Sequence, residues 1–144
     1  MRDTDLNRSG SPGIRAVDVF PEFMPIAFDV VDPTLNVEYE ALSVVGAGVL
    51  YAINIHTDDA VTAISRYIMI TIDGELIYGY SPSEAGADVW YWLNNVLGAL
   101  SQVSKTAGET LYLPFKESLV ITGKFTAQVT AGKKLFVDGY YGDV

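Results

Sequence analysis

The single histidine of the chain opens the run His56-Thr57-Asp58-Asp59. An imidazole beside two carboxylates is the donor set that general acid–base chemistry or a metal ion would use. Either function needs further ligands or a nucleophile from elsewhere, and none arrives with a recognisable spacing. There is no Gly-x-Ser-x-Gly elbow, and the eighteen carboxylates offer many pairs without a glycosidase motif. A run of this kind just after a strand reads as a solvated turn, so no catalytic residue, metal or cofactor is assigned. Val44-Val45-Gly46-Ala47-Gly48 imitates the start of a dinucleotide fingerprint, but Tyr51 stands where the third glycine belongs. The residues after Gly48 alternate as a strand instead of opening a helix, so these glycines mark a turn or bulge. Trp90, Tyr91 and Trp92, beside Asp88, Asn94 and Asn95, form a candidate glycan-stacking platform. The competing reading places these aromatics in the core or at a subunit interface.

Composition narrows the field further. The 144 residues are 49% apolar and 19% charged, which excludes a disordered chain, and their number suits one domain. The absence of cysteine removes disulfides, thiolate zinc sites and cysteine nucleophiles together. A net charge of −9 disfavours binding along a nucleic-acid backbone. Met1 to Gly10 contain no apolar stretch of signal-peptide length, and no run approaches a membrane span. A soluble protein without nucleic-acid or membrane partners is expected. Residues 1–104 carry fourteen acids against four Arg, whereas all five Lys fall in 105–144, so the molecule has an acidic front.

The elements that must position these residues are strands. From residue 36 the apolar period is mostly two. Tyr67–Ile72, Asp73-Gly74 and Glu75–Tyr80 give the strongest local signal, because Asp-Gly supplies the positive φ angles of a type I′ hairpin. Its two-residue loop pairs Ile70 with Ile77 and Met69 with Tyr78. Six further strands are read at Val37–Val45, Gly48–His56, Leu111–Phe115, Ser118–Thr122, Lys124–Thr130 and Lys133–Val137. Eight short strands at this spacing describe a sandwich or jelly roll. Val89, Trp92, Leu93, Val96, Leu97, Leu100 and Val103 instead follow helical spacing, and the spacing predicts one short helical insert at 88–101.

Two surfaces stand out for association. The hairpin carries Ile68, Ile70, Ile72 and Ile77 on one face and Tyr67, Met69, Leu76, Tyr78 and Tyr80 on the other. A two-sheet sandwich needs only one apolar face per strand. The second set is therefore the candidate oligomer interface. Residues 14–35 are apolar but punctuated by Pro21, Pro25 and Pro33, which forbid a long helix and a central strand. Such a segment lies either as an edge strand on its own domain or as an arm on a neighbour. The division adopted is an extended N-terminal arm over 1–35 and a β-sandwich over 36–144. Val19, Phe20, Phe23, Met24 and Phe28 are the candidate gripping residues of the arm.

The succession Tyr67-Ile-Met-Ile-Thr-Ile-Asp-Gly74, followed by Leu111-Tyr-Leu-Pro-Phe115 and Ser118-Leu-Val-Ile121, resembles β-sandwich structural proteins of tailed bacteriophages. Capsid decoration (cement) proteins, often trimeric jelly rolls, are the nearest type. The resemblance covers roughly residues 40–140 and lies in the cadence of strands and turns. It implies a mainly β, jelly-roll-like antiparallel sandwich that decorates a capsid without enzymatic activity. It further implies a homotrimer, the major capsid protein as partner, and a place on the virion surface after assembly in the host cytoplasm. The alternative it leaves is a receptor- or glycan-binding domain of a phage tail or fibre.

Overall fold

The computed structural model describes residues 22–83, 85, 91–96, 99–104 and 111–143. Ten strands succeed one another: β1 (Glu22–Val31), β2 (Tyr39–Val45), β3 (Gly48–Thr57), β4 (Arg66–Ile72), β5 (Glu75–Tyr80), β6 (Tyr91–Val96), β7 (Ala99–Ser104), β8 (Leu113–Phe115), β9 (Ser118–Phe125) and β10 (Lys134–Asp143). The described residues contain no helix, and hence none long and apolar enough to cross a membrane.

The pairing is that of one long hairpin rolled on itself. β4 pairs with β5, β3 with both β6 and β8, β2 with β9, and β1 with β10, all antiparallel. The innermost turn is Asp73-Gly74, whose φ angles of 49° and 87° are those of the expected type I′ turn. β10 then joins β3, and β9 joins β4, which rolls the nested pairs into two sheets. One sheet runs β1-β10-β3 and continues to β6 and β8; the other runs β2-β9-β4-β5. This is a jelly roll. The β6–β7 hairpin interrupts what would be the sixth strand, and the single parallel pair Tyr80↔Gln102 carries the hydrogen-bonded path from β7 to β5.

Alternation builds the core. Ile26, Ile53, Ile55, Leu135 and Val137 face inward from the first sheet, and Ile68, Ile70, Leu119, Ile121 and Phe125 from the second. Burying each such side chain is worth about 1.5–3 kcal/mol. Gly123 lets the sheets close: a Cβ there would stand 3.0 Å from Val137 Cγ2 and 3.3 Å from Ile55 Cδ1.

The structure corrects two expectations. The helix over 88–101 is absent from the described part of that range, where 91–96 and 99–101 are extended; residues 88–90 and 97–98 lie outside the described residues. Tyr91 and Leu93 are buried with Trp92 half-buried between them, a period of two that competes with the helical spacing. The strand expected at Lys124–Thr130 is two pieces. Lys124 and Phe125 end β9, which runs straight through Gly123, and 126–130 form a loop. Gly123 is thus a packing glycine and not a strand break. Within the segment read as either an edge strand or an arm, residues 22–31 form β1 and pair with β10 at all ten positions from Glu22↔Asp143 to Val31↔Lys134. Pro25 is compatible because β1 ends the sheet path and the residue is exposed.

Candidate functional site

The His-Asp run is built into the fold. His56 lies on β3, only 7% exposed, with its ring stacked on Phe136 at 4.6 Å and 7°. Its Nε2–H donates to Asp138 Oδ2 at 2.8 Å. Asp58 Oδ1 accepts the Lys134 N–H at 2.8 Å. Asp59 is fully buried: Oδ1 accepts the Val61 and Thr62 N–H groups at 2.9 and 3.0 Å, and Oδ2 accepts the Thr130 N–H at 2.7 Å. Burial alone would raise its pKa, but the N–H groups of Thr130, Val61 and Thr62 outweigh that and hold the carboxyl well below the usual range. The run is therefore a staple between the β3–β4 and β9–β10 loops, not a solvated turn. The described residues contain no group of three or more metal-ligating side chains.

Asp73 does the same at the opposite turn. Its carboxylate accepts N–H groups of Lys116, Glu117 and Ser118 at 3.0, 2.7 and 3.0 Å. Those bonds, Glu117 first, lower its pKa. Gly46 and Gly48 serve turn and packing: Gly46 has φ 123°, and a Cβ on Gly48 would meet the Gly142 carbonyl and the Phe115 ring.

The candidate interface residues of the hairpin share one face in the expected register, with Ile70 opposite Ile77 and Met69 opposite Tyr78. Tyr67 and Tyr80 meet across the strands with centroids 4.7 Å apart, and Lys124 Nζ stands 5.2 Å from the Tyr67 ring. Leu76, Tyr78 and Tyr80 are each about half exposed, at 49%, 47% and 48%, whereas Met69 is buried. An apolar row therefore lies open on the outer surface of the second sheet.

Of the arm residues, Val19 and Phe20 lie outside the described residues. Phe28 packs against the protein's own core and Met24 is half-buried on the same face. Phe23 points outward, 65% exposed, with its ring 5.1 Å from Tyr51, which in turn lies 6.1 Å from Tyr112.

The three aromatics at 90–92 do not form one platform. Tyr91 is buried in the core beneath the Arg66 guanidinium at 4.7 Å, while Trp92, its neighbour on the strand, lines the outer surface; Trp90 lies outside the described residues. Strand alternation separates what helical spacing would have gathered. On that outer surface Trp92 sits opposite Asn54, Asn54 opposite Asp138, and Asp138 opposite Ala27; the adjacent row is Pro25, Tyr140 and Ala52. Between these rows is an open cleft of about 320 Å³. Sequence reasoning misses Asn54, Asp138 and Tyr140 as site residues. The available signal is a polar residue at the outward parity of an otherwise apolar strand, Asn54 in Ile53–Ile55 and Asp138 beside Val137.

Comparison with known proteins yields no matching family model and no matching curated protein. Among solved structures, chains of infectious bursal disease virus, Gt and Gx strains, are similar at 12% identity each, with TM-scores of 0.31 and 0.32. The match covers 84% of this chain in both cases, and 32% and 31% of those chains, so this chain spans about a third of their length.

Proposed function

We propose that this chain is a non-enzymatic structural protein of a virion, which assembles as a homotrimer and decorates and stabilises a capsid. The observation that carries the reading is the open row Leu76, Tyr78 and Tyr80 beside Tyr67 on the outer face of a sheet whose inner face already fills the core. An apolar strip left outside a complete core is the mark of a subunit contact. Burying it against a second copy contributes about 25 cal/mol per Å² of apolar surface. The jelly roll suits such a role because capsid domains use it, an analogy at the level of fold. Exposed Phe23, set on the edge strand β1, is the residue we assign to the capsid side. Repetition then turns weak single contacts into avid attachment.

The test is quantitative mass spectrometry of purified particles. Copy numbers comparable with the major capsid protein support decoration. A handful of copies would assign the chain to a tail, and its absence from particles would reject a virion role.

A further inference from the structure

We propose that the cleft between β1, β10, β3 and β6 binds a neutral pyranose, a single sugar ring of a glycan. The cleft is a built site. Asn54 forms part of its lining, is only 1% exposed, and has an Oδ1 atom with no hydrogen-bond partner among the described residues. A buried acceptor left unmatched is rare in a folded protein and points to a donor that the described residues do not supply. Asp138, also in the lining, has Oδ2 engaged by His56 at 2.8 Å, which fixes the carboxylate while Oδ1 makes no bond among the described residues. Both atoms accept hydrogen bonds, so the complementary ligand presents donors, as sugar hydroxyls do.

The remaining walls specify the rest of the ligand. Trp92 and Tyr140 bring aromatic surface to the cleft, with Pro25 of β1 also in the lining, and these suit the apolar C–H face of a pyranose. At about 320 Å³ the cleft lies at the small end of the roughly 300–1,000 Å³ range of ligand sites, a size for one ring. The lining contains a carboxylate and neither Lys nor Arg, which favours a neutral sugar over an acidic one. Asn54 Oδ1 is buried behind the lining, so pairing with a ring hydroxyl requires a rotation of the Asn54 side chain, which its amide resonances would report. This proposal does not rest on the trimer contact, whose face belongs to the other sheet; Phe23, assigned to the capsid side, shares β1 with Pro25 of the lining.

The experiment is a titration of the full chain, isotopically labelled, with methyl glycosides of glucose, galactose, mannose and N-acetylglucosamine. The readouts are the Trp92 indole N–H and the Asn54 side-chain amide resonances. Saturable shifts of both by at least one glycoside are expected, with Tyr78→Lys titrating as wild type. Tyr140 is 55% exposed, so Tyr140→Ala should fold normally; loss of its ring should raise Kd about tenfold. Asp138→Asn should weaken binding too, while a melting curve checks the loss of its charged bond to His56. No saturable shift up to about 100 mM glycoside, a hundredfold above a millimolar Kd, would overturn the proposal. So would binding that survives Tyr140→Ala unchanged, or a Tyr140→Ala effect on oligomer mass in place of sugar affinity, which would make the cleft a seat for a second copy.

Discussion

Replacing Asp59 with alanine should be among the most damaging single changes on the polar side of the molecule. The carboxylate accepts three backbone N–H groups from two loops, those of Val61 and Thr62 after β3 and that of Thr130 after β9. A hydrogen bond to a charged acceptor contributes about 1.5–3 kcal/mol where water cannot replace it. Val61 and Thr130 are exposed and Thr62 is partly so, and water therefore recovers part of the loss. Taking the lower end for each bond gives a cost of about 3–5 kcal/mol, a large share of the roughly 5–15 kcal/mol that holds a domain together. The melting temperature should fall by roughly 10 °C. The pH dependence has a definite sign. Because the folded pKa lies below the unfolded one, near 3.9, the contribution is complete above about pH 4–5 and disappears as pH falls through the folded value. Urea titrations followed by circular dichroism, at one protein concentration and at pH 7 and pH 2–3, measure both effects. The variant should lose most at pH 7 and distinctly less at pH 2–3, where protonation of the unfolded chain has already removed part of the contribution. A loss below about 1 kcal/mol at pH 7, or one equally large in acid, would refute the reasoning.

The same geometry carries three more expectations. Gly139→Ala drives a Cβ into the Ala52 carbonyl where β10 meets β3, and should cost at least about 2–3 kcal/mol in urea unfolding. Deleting residues 1–31 removes β1 and all ten of its pairs with β10 and uncovers the bed of Ile26; we expect an insoluble or unfolded product by circular dichroism. Phe23→Ala should leave the melting temperature unchanged within about 0.5 kcal/mol of stability, since the ring is largely exposed, and should weaken co-sedimentation with capsids.

What could be read from the sequence was local. Asp73-Gly74 determines its own turn and, through a two-residue loop, the register of both flanking strands, so the hairpin pairing and its two faces were legible. The jelly-roll class came from strand count and spacing. The illegible parts depend on partners distant in the chain. Gly123 looks like a break until Val137 and Ile55 from the opposite sheet press on it. The His-Asp run looks solvated until Thr130, Lys134 and Asp138 arrive from the β9–β10 segment, more than seventy residues away. At 91–96, helical spacing and alternation coincide on several apolar residues, and pairing with β3 and β7 selects the strand. The cleft residues Asn54, Asp138 and Trp92 come from three strands, so no linear pattern gathers them.

The assembly claim is tested most directly by sedimentation equilibrium of the full chain at micromolar concentration, alone and as Tyr78→Lys. We expect the wild-type protein at three times its chain mass of 15.7 kDa, and the variant as a folded species of one chain mass. A wild-type protein that sediments at 15.7 kDa would contradict the account.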